Sequence, residues 1–324
     1  RSEVDLKRML WRLAFDAHKQ GGAQDKLADI GEVPLQNALR DLHPERDLGW
    51  VGRMIDTVKL RAGLLLERAP NVYTFPHRTF QEYLAGAHLA SSDKFALKAN
   101  SLAEAGALWR EVILLAVGKL VYQSGDTDKP LALVAELSPA AEAPTELGWP
   151  KAWLAGEVLE EVGLNRVGES ALGRDLLQRV RQRLARLLAA GALTPVERAA
   201  AGVALGKLGD PRPGVGLKNG LPDLEWIEIP QGPFVMGSEK DMYDWAKEAP
   251  QFRCDLIQQP YRISRYPITV AQYQAFVDAG GYGAKAKGYW TKAGWTWKQK
   301  NQVTGPEDDK PVYQTPNHPR VGVS

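Results

Sequence analysis

Leucine and alanine recur three and four residues apart from the start of the chain. Leu6, Leu10, Leu13 and Ala17 fall on one face of a helix over residues 4–18. Pro34 suits the first turn of a second helix, and apolar spacing predicts a third over about Val51 to Arg61. The period then changes. Leu64–Glu67 and Val72–Phe75 flank Arg68-Ala69-Pro70-Asn71, a short hairpin with a turn-forming centre. Three helices followed by a hairpin is the order of a winged helix. Thr79-Phe80-Gln81-Glu82 reads as a capping box that starts a helix at Thr79, with Phe80, Tyr83, Leu84 and Ala87 on one face. Helical hairpins continue from there to Gly209. Leu176, Val180, Leu184 and Leu187 form an apolar stripe, and Arg179, Arg183 and Arg186 form another face. Residues 196–212 read as one helix of a HEAT-type repeat, although no clean repeat period emerges.

The pattern changes again near residue 215. Residues 223–324 hold most of the tyrosines, half of the tryptophans and many of the glycines and prolines, which predicts short strands, turns and loops. The stretch Gly209-Asp210-Pro211-Arg212-Pro213-Gly214-Val215-Gly216 has the composition of a domain boundary. Leu224 to Gly237 reads as two short strands on either side of a Gly-Pro turn. Thr269 and Gln272 form a second capping box, and the helix they start carries Tyr273, Phe276 and Val277 before ending at Gly280-Gly281. The expected organisation is therefore multidomain. A mainly α part comprises a winged helix (1–95) and a HEAT-like helical arm (96–210). A linker (211–222) then leads to an α+β, loop-rich domain (223–324).

Composition narrows the function. A chain of 324 residues is too long for one ordinary core. With 25% charged and 44% hydrophobic residues it has the make-up of a globular protein. A formal net charge of +2 argues against nucleic-acid or membrane binding through bulk charge. The single cysteine, Cys254, excludes an internal disulfide framework and argues against a thiolate zinc site; the composition fits a reducing cytoplasm. The most apolar stretch, Leu108 to Val121, is interrupted by Arg110, Glu111 and Lys119, so it is not read as a membrane span. The first residues lack a signal-peptide pattern. The sequence starts within a helix and stops within a motif, so it is read as a piece of something longer. It contains no G-x-x-x-x-G-K-[ST] segment and no strand ending in paired acids, so this segment is not expected to hydrolyse ATP alone.

Tyr73-Thr74-Phe75-Pro76-His77-Arg78-Thr79-Phe80-Gln81-Glu82-Tyr83-Leu84-Ala85-Gly86 resembles the end of the winged-helix domain in NACHT-type STAND signalling ATPases. The likeness covers roughly residues 1–95 and includes Arg61-Ala62-Gly63-Leu64-Leu65 before the hairpin. It implies that His77 touches the β-phosphate of ADP in the resting state, that ATP or ADP is held mainly by an upstream NTPase domain, and that the protein oligomerises on activation. Local chemistry permits such a contact. His77 precedes a helix whose first N–H groups and dipole favour an anion, and an imidazole N–H adds a donor. The plainer alternative is that His77 only packs at the join of wing and helix. A winged helix also invites a DNA-binding reading. The candidate recognition helix carries Arg53, Lys59 and Arg61, but also Asp56 and the apolar Val51, Met54, Ile55, Val58 and Leu60, so nucleic acid is not the expected partner. The arginines of 174–186 are read as a solvated helix face.

The second half carries Trp226-Ile227-Glu228-Ile229-Pro230, Gly232-Pro233-Phe234-Val235-Met236-Gly237-Ser238, Tyr261 to Thr269, Tyr273 with Phe276, Tyr289-Trp290, Gly294-Trp295, Trp297, and Asn317 to Ser324. In this order the motifs resemble the formylglycine-generating-enzyme, or sulfatase-modifying-factor, family. Val270 and Arg320 depart from its usual asparagine and valine. The resemblance implies a C-type-lectin-like fold. That fold serves as an oxidase, as a binding module, and as the display scaffold of diversity-generating-retroelement variable proteins. The redox cysteines of the active enzymes lie mostly past the equivalent of Ser324, and Cys254 matches neither, so it is read as a passive small residue. No metal site is expected in this chain; calcium is an expectation only for the part of a lectin-like domain beyond it. Trp290, Trp295 and Trp297 are candidate ligand-binding residues, since aromatic rings suit binding surfaces; alternatively they fill a small core. The functional expectation is a regulatory and sensor segment that binds a protein or small ligand and performs no chemistry itself. An oxidase module on a helical arm and a DNA-binding regulator are the alternatives.

Overall fold

The computed structural model describes residues 2–21, 29–42, 47–61, 63–140, 148–239, 249–307 and 310–323. They fall into two units, residues 1–208 and 209–324. The first begins with α1 (Ser2–Gly21), β1 (Ile30–Gly31), α2 (Glu32–Arg40) and α3 (Leu48–Asp56). The wing follows as β2 (Leu66–Ala69) and β3 (Val72–Thr74), and β1 adds an unforeseen third antiparallel strand beside β3. Asn71 turns the hairpin at φ +62, a backbone region in which asparagine is favoured. Helix α3 starts earlier than its apolar pattern suggests. The Asp47 carboxylate accepts from the Gly49 and Trp50 amides at 2.9 and 3.0 Å and caps it. Met9, Leu10, Leu13, Ala14 and Ala17 of α1 pack with Leu35, Leu39, Val51, Ile55, Tyr73 and Phe75 in one core.

Helix α4 spans Arg78–Ala90 with His77, not Thr79, at its N-cap. The expected capping box does not form. The Gln81 amide closes the first turn on the His77 carbonyl at 3.2 Å, and Gln81 and Glu82 are buried. Glu82 instead accepts from Arg78 Nε at 2.8 Å. Helix α4 belongs to two cores. Leu84 enters that of the winged helix, whereas Ala85, Leu89 and Ala90 enter that of the arm.

The arm comprises α5 (Phe95–Glu104), α6 (Arg110–Gly118), α7 (Asp128–Leu137), α8 (Gly148–Val162), α9 (Leu164–Glu169), α10 (Ala171–Ala189) and α11 (Pro195–Leu208). The apolar stretch around residue 113 is a core helix, with Val112, Ile113, Ala116 and Val117 fully buried, and Arg110 at its start pairs with Glu157. The arginines of α10 are only in part the solvated face expected: Arg174 and Arg186 are exposed, but Arg179 and Arg181 are half-buried and Arg183 is buried. Arg174 donates to the Gly168 carbonyl, Arg179 to Ser138, Arg181 to Leu208 and Arg183 to Pro139. They satisfy carbonyls at the ends of α7, α9 and α11 that have no partner further along their own helices. No described helix is long and apolar enough to cross a membrane.

Among the described residues the second unit carries three antiparallel two-stranded ribbons. These pair β4 (Leu217–Lys218) with β5 (Leu221–Pro222), β6 (Trp226–Ile229) with β9 (Tyr261–Ser264), and β7 (Phe234–Met236) with β8 (Phe252–Cys254). The Gly-Pro turn between β6 and β7 closes no hairpin; Pro230 and Pro233 lack the amides that would start a ladder there. Helix α12 (Val270–Asp278) begins with the expected box of Thr269 and Gln272. Residues 211–222, expected as a linker, are built into this unit. Thr269 Oγ1 donates to the Val215 carbonyl at 2.8 Å, and the buried Gln272 amide donates to the carbonyls of Gly214, Gly216 and Asp223. Asp210 accepts from Arg212 at 2.6 Å and from Asn317 at 2.9 Å. Helix α13 (Lys292–Lys300) was not legible as a helix. Thr291 caps it by accepting from the Gly294 amide at 3.0 Å.

Candidate functional site

His77 stands exposed at the head of α4 in extended backbone, φ −139 and ψ 145. The first intrahelical bond belongs to Gln81, so the amides of Arg78, Thr79 and Phe80 precede the helical ladder. They lie at the positive end of the helix dipole. The site can therefore offer backbone N–H groups and an imidazole donor to an anion.

Behind this exposed end the helix is held firmly. Arg78 and Glu82 pair one turn in, and Glu82 is buried. The ring of His18 on α1, only 4% exposed, lies at hydrogen-bond distance (3.1 Å) from the Leu108 carbonyl and edge-on to Trp109 at 4.9 Å. Burial pulls the His18 pKa down, against the opposing effects of the Leu108 carbonyl and the Glu82 charge. Burial likewise lowers that of His88, whose ring lies 5.0 Å from Phe15. Phe15, His18, His88 and Trp109 thus occupy the place where α1, α4 and the turn before α6 meet. Sequence reading passed over His18. Its signal was a position four residues after Ala14, in line with the apolar stripe of α1.

The three tryptophans do not share one exposed platform. Trp290 donates from its indole to the Gly281 carbonyl at 3.0 Å and lies edge-on to Tyr282 at 5.4 Å and Trp295 at 6.2 Å. Trp295 is 9% exposed, whereas Trp297 is 45% exposed. Two residues along a helix turn a side chain by about 200°, so Trp297 points away from the face that buries Trp295. Tyr273, Phe276, Tyr282, Trp290 and Trp295 form the continuous aromatic interior of this unit.

The cations of the winged-helix face are engaged by acids. Lys59 lies 2.5 Å from Glu67 and Arg53 lies 3.9 Å from Asp47. Arg61 lacks a described side chain. Cys254 is buried on β8 opposite Phe234. Among the described residues no group of three or more His, Cys, Asp or Glu side chains could hold a metal ion.

Comparison with known proteins agrees with both folds. Residues 2–89 match the winged helix-turn-helix domain C-terminal to NACHT. Residues 218–324 match the sulfatase-modifying factor enzyme 1-like domain. The chain therefore joins a NACHT-type winged helix to a sulfatase-modifying-factor-like domain through a helical arm. It is 34% identical over 77 residues to a hercynine oxygenase of Mycolicibacterium thermoresistibile, covering 23% of this chain and 16% of that protein. It is 30% identical over 98 residues to a hercynine oxygenase of Mycolicibacterium smegmatis, covering 29% of this chain and 22% of that protein. The chain thus spans no more than about a fifth of the length of these curated relatives. No solved structure matches significantly.

Proposed function

We propose that this chain is the regulatory and ligand-sensing segment of a cytoplasmic STAND signalling or defence ATPase. The winged helix gates an ADP/ATP switch through His77. The helical arm relays the state, and the sulfatase-modifying-factor-like domain binds the trigger, after which the protein oligomerises. A ligand with different affinities for the closed and open states would drive the change.

The observation that carries this reading is the construction of α4. Its head carries exposed His77 at the N-cap, at the positive end of the helix dipole, while its body is shared by the cores of winged helix and arm. A phosphate held at one end would therefore be felt along the arm. The test is the protein in its full-length form, with the NTPase domain that the reading requires. Purified wild type should retain ADP, and His77→Ala should lose most of it. Unchanged ADP in that variant would remove His77 from the switch.

The hercynine oxygenase relatives favour a second reading, in which the C-terminal domain belongs to an oxidase. Oxygen consumption with hercynine would support that reading; inactivity under conditions in which such an oxygenase works would dismiss it.

A further inference from the structure

The chain's modest net charge conceals a local excess. Between Asp278 and Glu307 stand Lys285, Lys287, Lys292, Lys298 and Lys300 and not one carboxylate. That segment carries more positive charge than the formal +2 of the entire chain. Elsewhere in the same unit surface arginines have acids beside them, as in Arg253 with Asp255 and Arg265 with Glu225. Lys285, Lys287, Lys292 and Lys300 are exposed and, among the described residues, in no ion pair, and Lys298 lies over the Trp295 ring at 4.9 Å. Large aromatic surface stands among them. Tyr289 is 83% exposed and Trp297 45%.

The two elements form one knob. Trp290, next to Tyr289, packs against Trp295 of α13 and so seats the Ala284–Tyr289 turn on that helix. At about 100° per residue, Thr296, Lys300 and Trp297 lie about 100°, 140° and 200° round α13 from buried Trp295, and exposed Lys292 borders that arc about 60° from it.

We propose that this lysine-and-aromatic knob binds single-stranded nucleic acid. Lysines supply phosphate contacts, and exposed rings supply stacking platforms for unpaired bases. A duplex hides its base faces and would leave Tyr289 and Trp297 unused. A membrane surface suits the knob less well. The outward arc of α13 alternates lysine and threonine with one tryptophan, without the continuous apolar stripe that interfacial helices bury. The proposal rests on the reading that the C-terminal unit is the sensing end, and names the chemistry of the trigger.

The test is fluorescence anisotropy of labelled dT20 with the 324-residue chain, alongside quenching of tryptophan emission. Binding should weaken with salt at a slope of about −3 in log K against log salt, as for roughly four phosphate contacts. Tyr289→Ala and Trp297→Ala should each weaken binding about five- to a hundredfold, and Tyr289→Phe and Trp297→Phe should restore most of it. Lys292→Glu with Lys300→Glu should also weaken it. Four results would overturn the proposal: no binding of dT20 at low salt, equal binding of base-free polyphosphate, alanine variants that bind as wild type, or capture by phosphatidylglycerol vesicles without dT20 binding. ADP retention in His77→Ala is read without any oligonucleotide. A chain that ignores dT20 yet assembles with another trigger would refute this partner while leaving the sensing role intact.

Discussion

Gly86 is where the shared helix α4 can be tested most directly. A Cβ built there would lie 2.9 Å from the Val112 carbonyl oxygen, 3.1 Å from the Ala116 amide nitrogen and 3.2 Å from Leu115 Cβ. Two of these neighbours are backbone atoms of α6, so relief requires the two helices to part. Overpacking of this kind costs about 1–3 kcal/mol. Replacing glycine by alanine inside a helix returns about 1 kcal/mol in propensity. The crowding term should win, leaving Gly86→Ala destabilised by up to about 2 kcal/mol. Gly52 in α3 is the control, because its added Cβ meets nothing within 4 Å. There only the propensity term acts, and Gly52→Ala should gain about 0.5–1 kcal/mol. In a unit of this size 1 kcal/mol moves the melting temperature by about 2–4 °C. Urea and thermal unfolding of both variants would show opposite signs. A Gly86→Ala variant as stable as Gly52→Ala would refute the close α4–α6 crossing, and with it the rigid tie between winged helix and arm.

Two further outcomes follow from buried polar groups. Arg183 is 7% exposed and donates to the Pro139 carbonyl, so Arg183→Ala should cost about 1–3 kcal/mol in urea unfolding. Exposed Arg186→Ala should stay within about 0.5 kcal/mol, and equal effects would return the arginine run to a solvated face. His18 has a folded-state pKa below its ordinary 6.5, so the unfolded chain binds the proton more readily and the first unit should lose stability as pH falls below about 6.5. His88 acts in the same direction. His18→Gln should flatten part of that slope, and an unchanged pH profile would place the acid sensitivity elsewhere.

What could be read in advance depended on how far apart the interacting residues stand in the chain. The wing, the body of α4 and the Thr269–Gln272 box rest on residues within a few positions of each other, and period and capping rules see those directly; the start of α4 escaped them, because buried Gln81 and Glu82 do not close a box on Thr79. The third strand does not, because Ile30 finds Tyr73 across 43 positions of chain. The arginines of α10 are harder still. Their spacing is that of a solvated face, and only the tertiary arrangement shows their guanidinium groups filling the carbonyl ends of neighbouring helices. The same limit applied to the tryptophans. Spacing in Trp295-Thr296-Trp297 cannot say which ring turns inward until the structure shows a helix with Trp290 packed on one side.

The glycine- and proline-rich junction shows why composition misleads about linkers. Its composition is that of a linker, yet the carbonyls of Gly214 and Gly216, with that of Asp223, are the acceptors that the Gln272 amide needs once it is buried at the start of α12. A buried amide without partners would cost about 1–3 kcal/mol, so the segment is fixed by the demands of a helix cap more than fifty residues downstream. Asp210 extends the same logic. Burial alone would raise its pKa, but bonds from Arg212 and Asn317 outweigh that and hold the carboxyl below its usual range. That pairing ties the first residues of the second unit to its last motif, Asn317-His318-Pro319. Among the described residues only Gly209, at φ +97, separates the Leu208 carbonyl that Arg181 satisfies from the anchored Asp210. The composition of 209–216 therefore overstates how much of that segment lacks fixed partners.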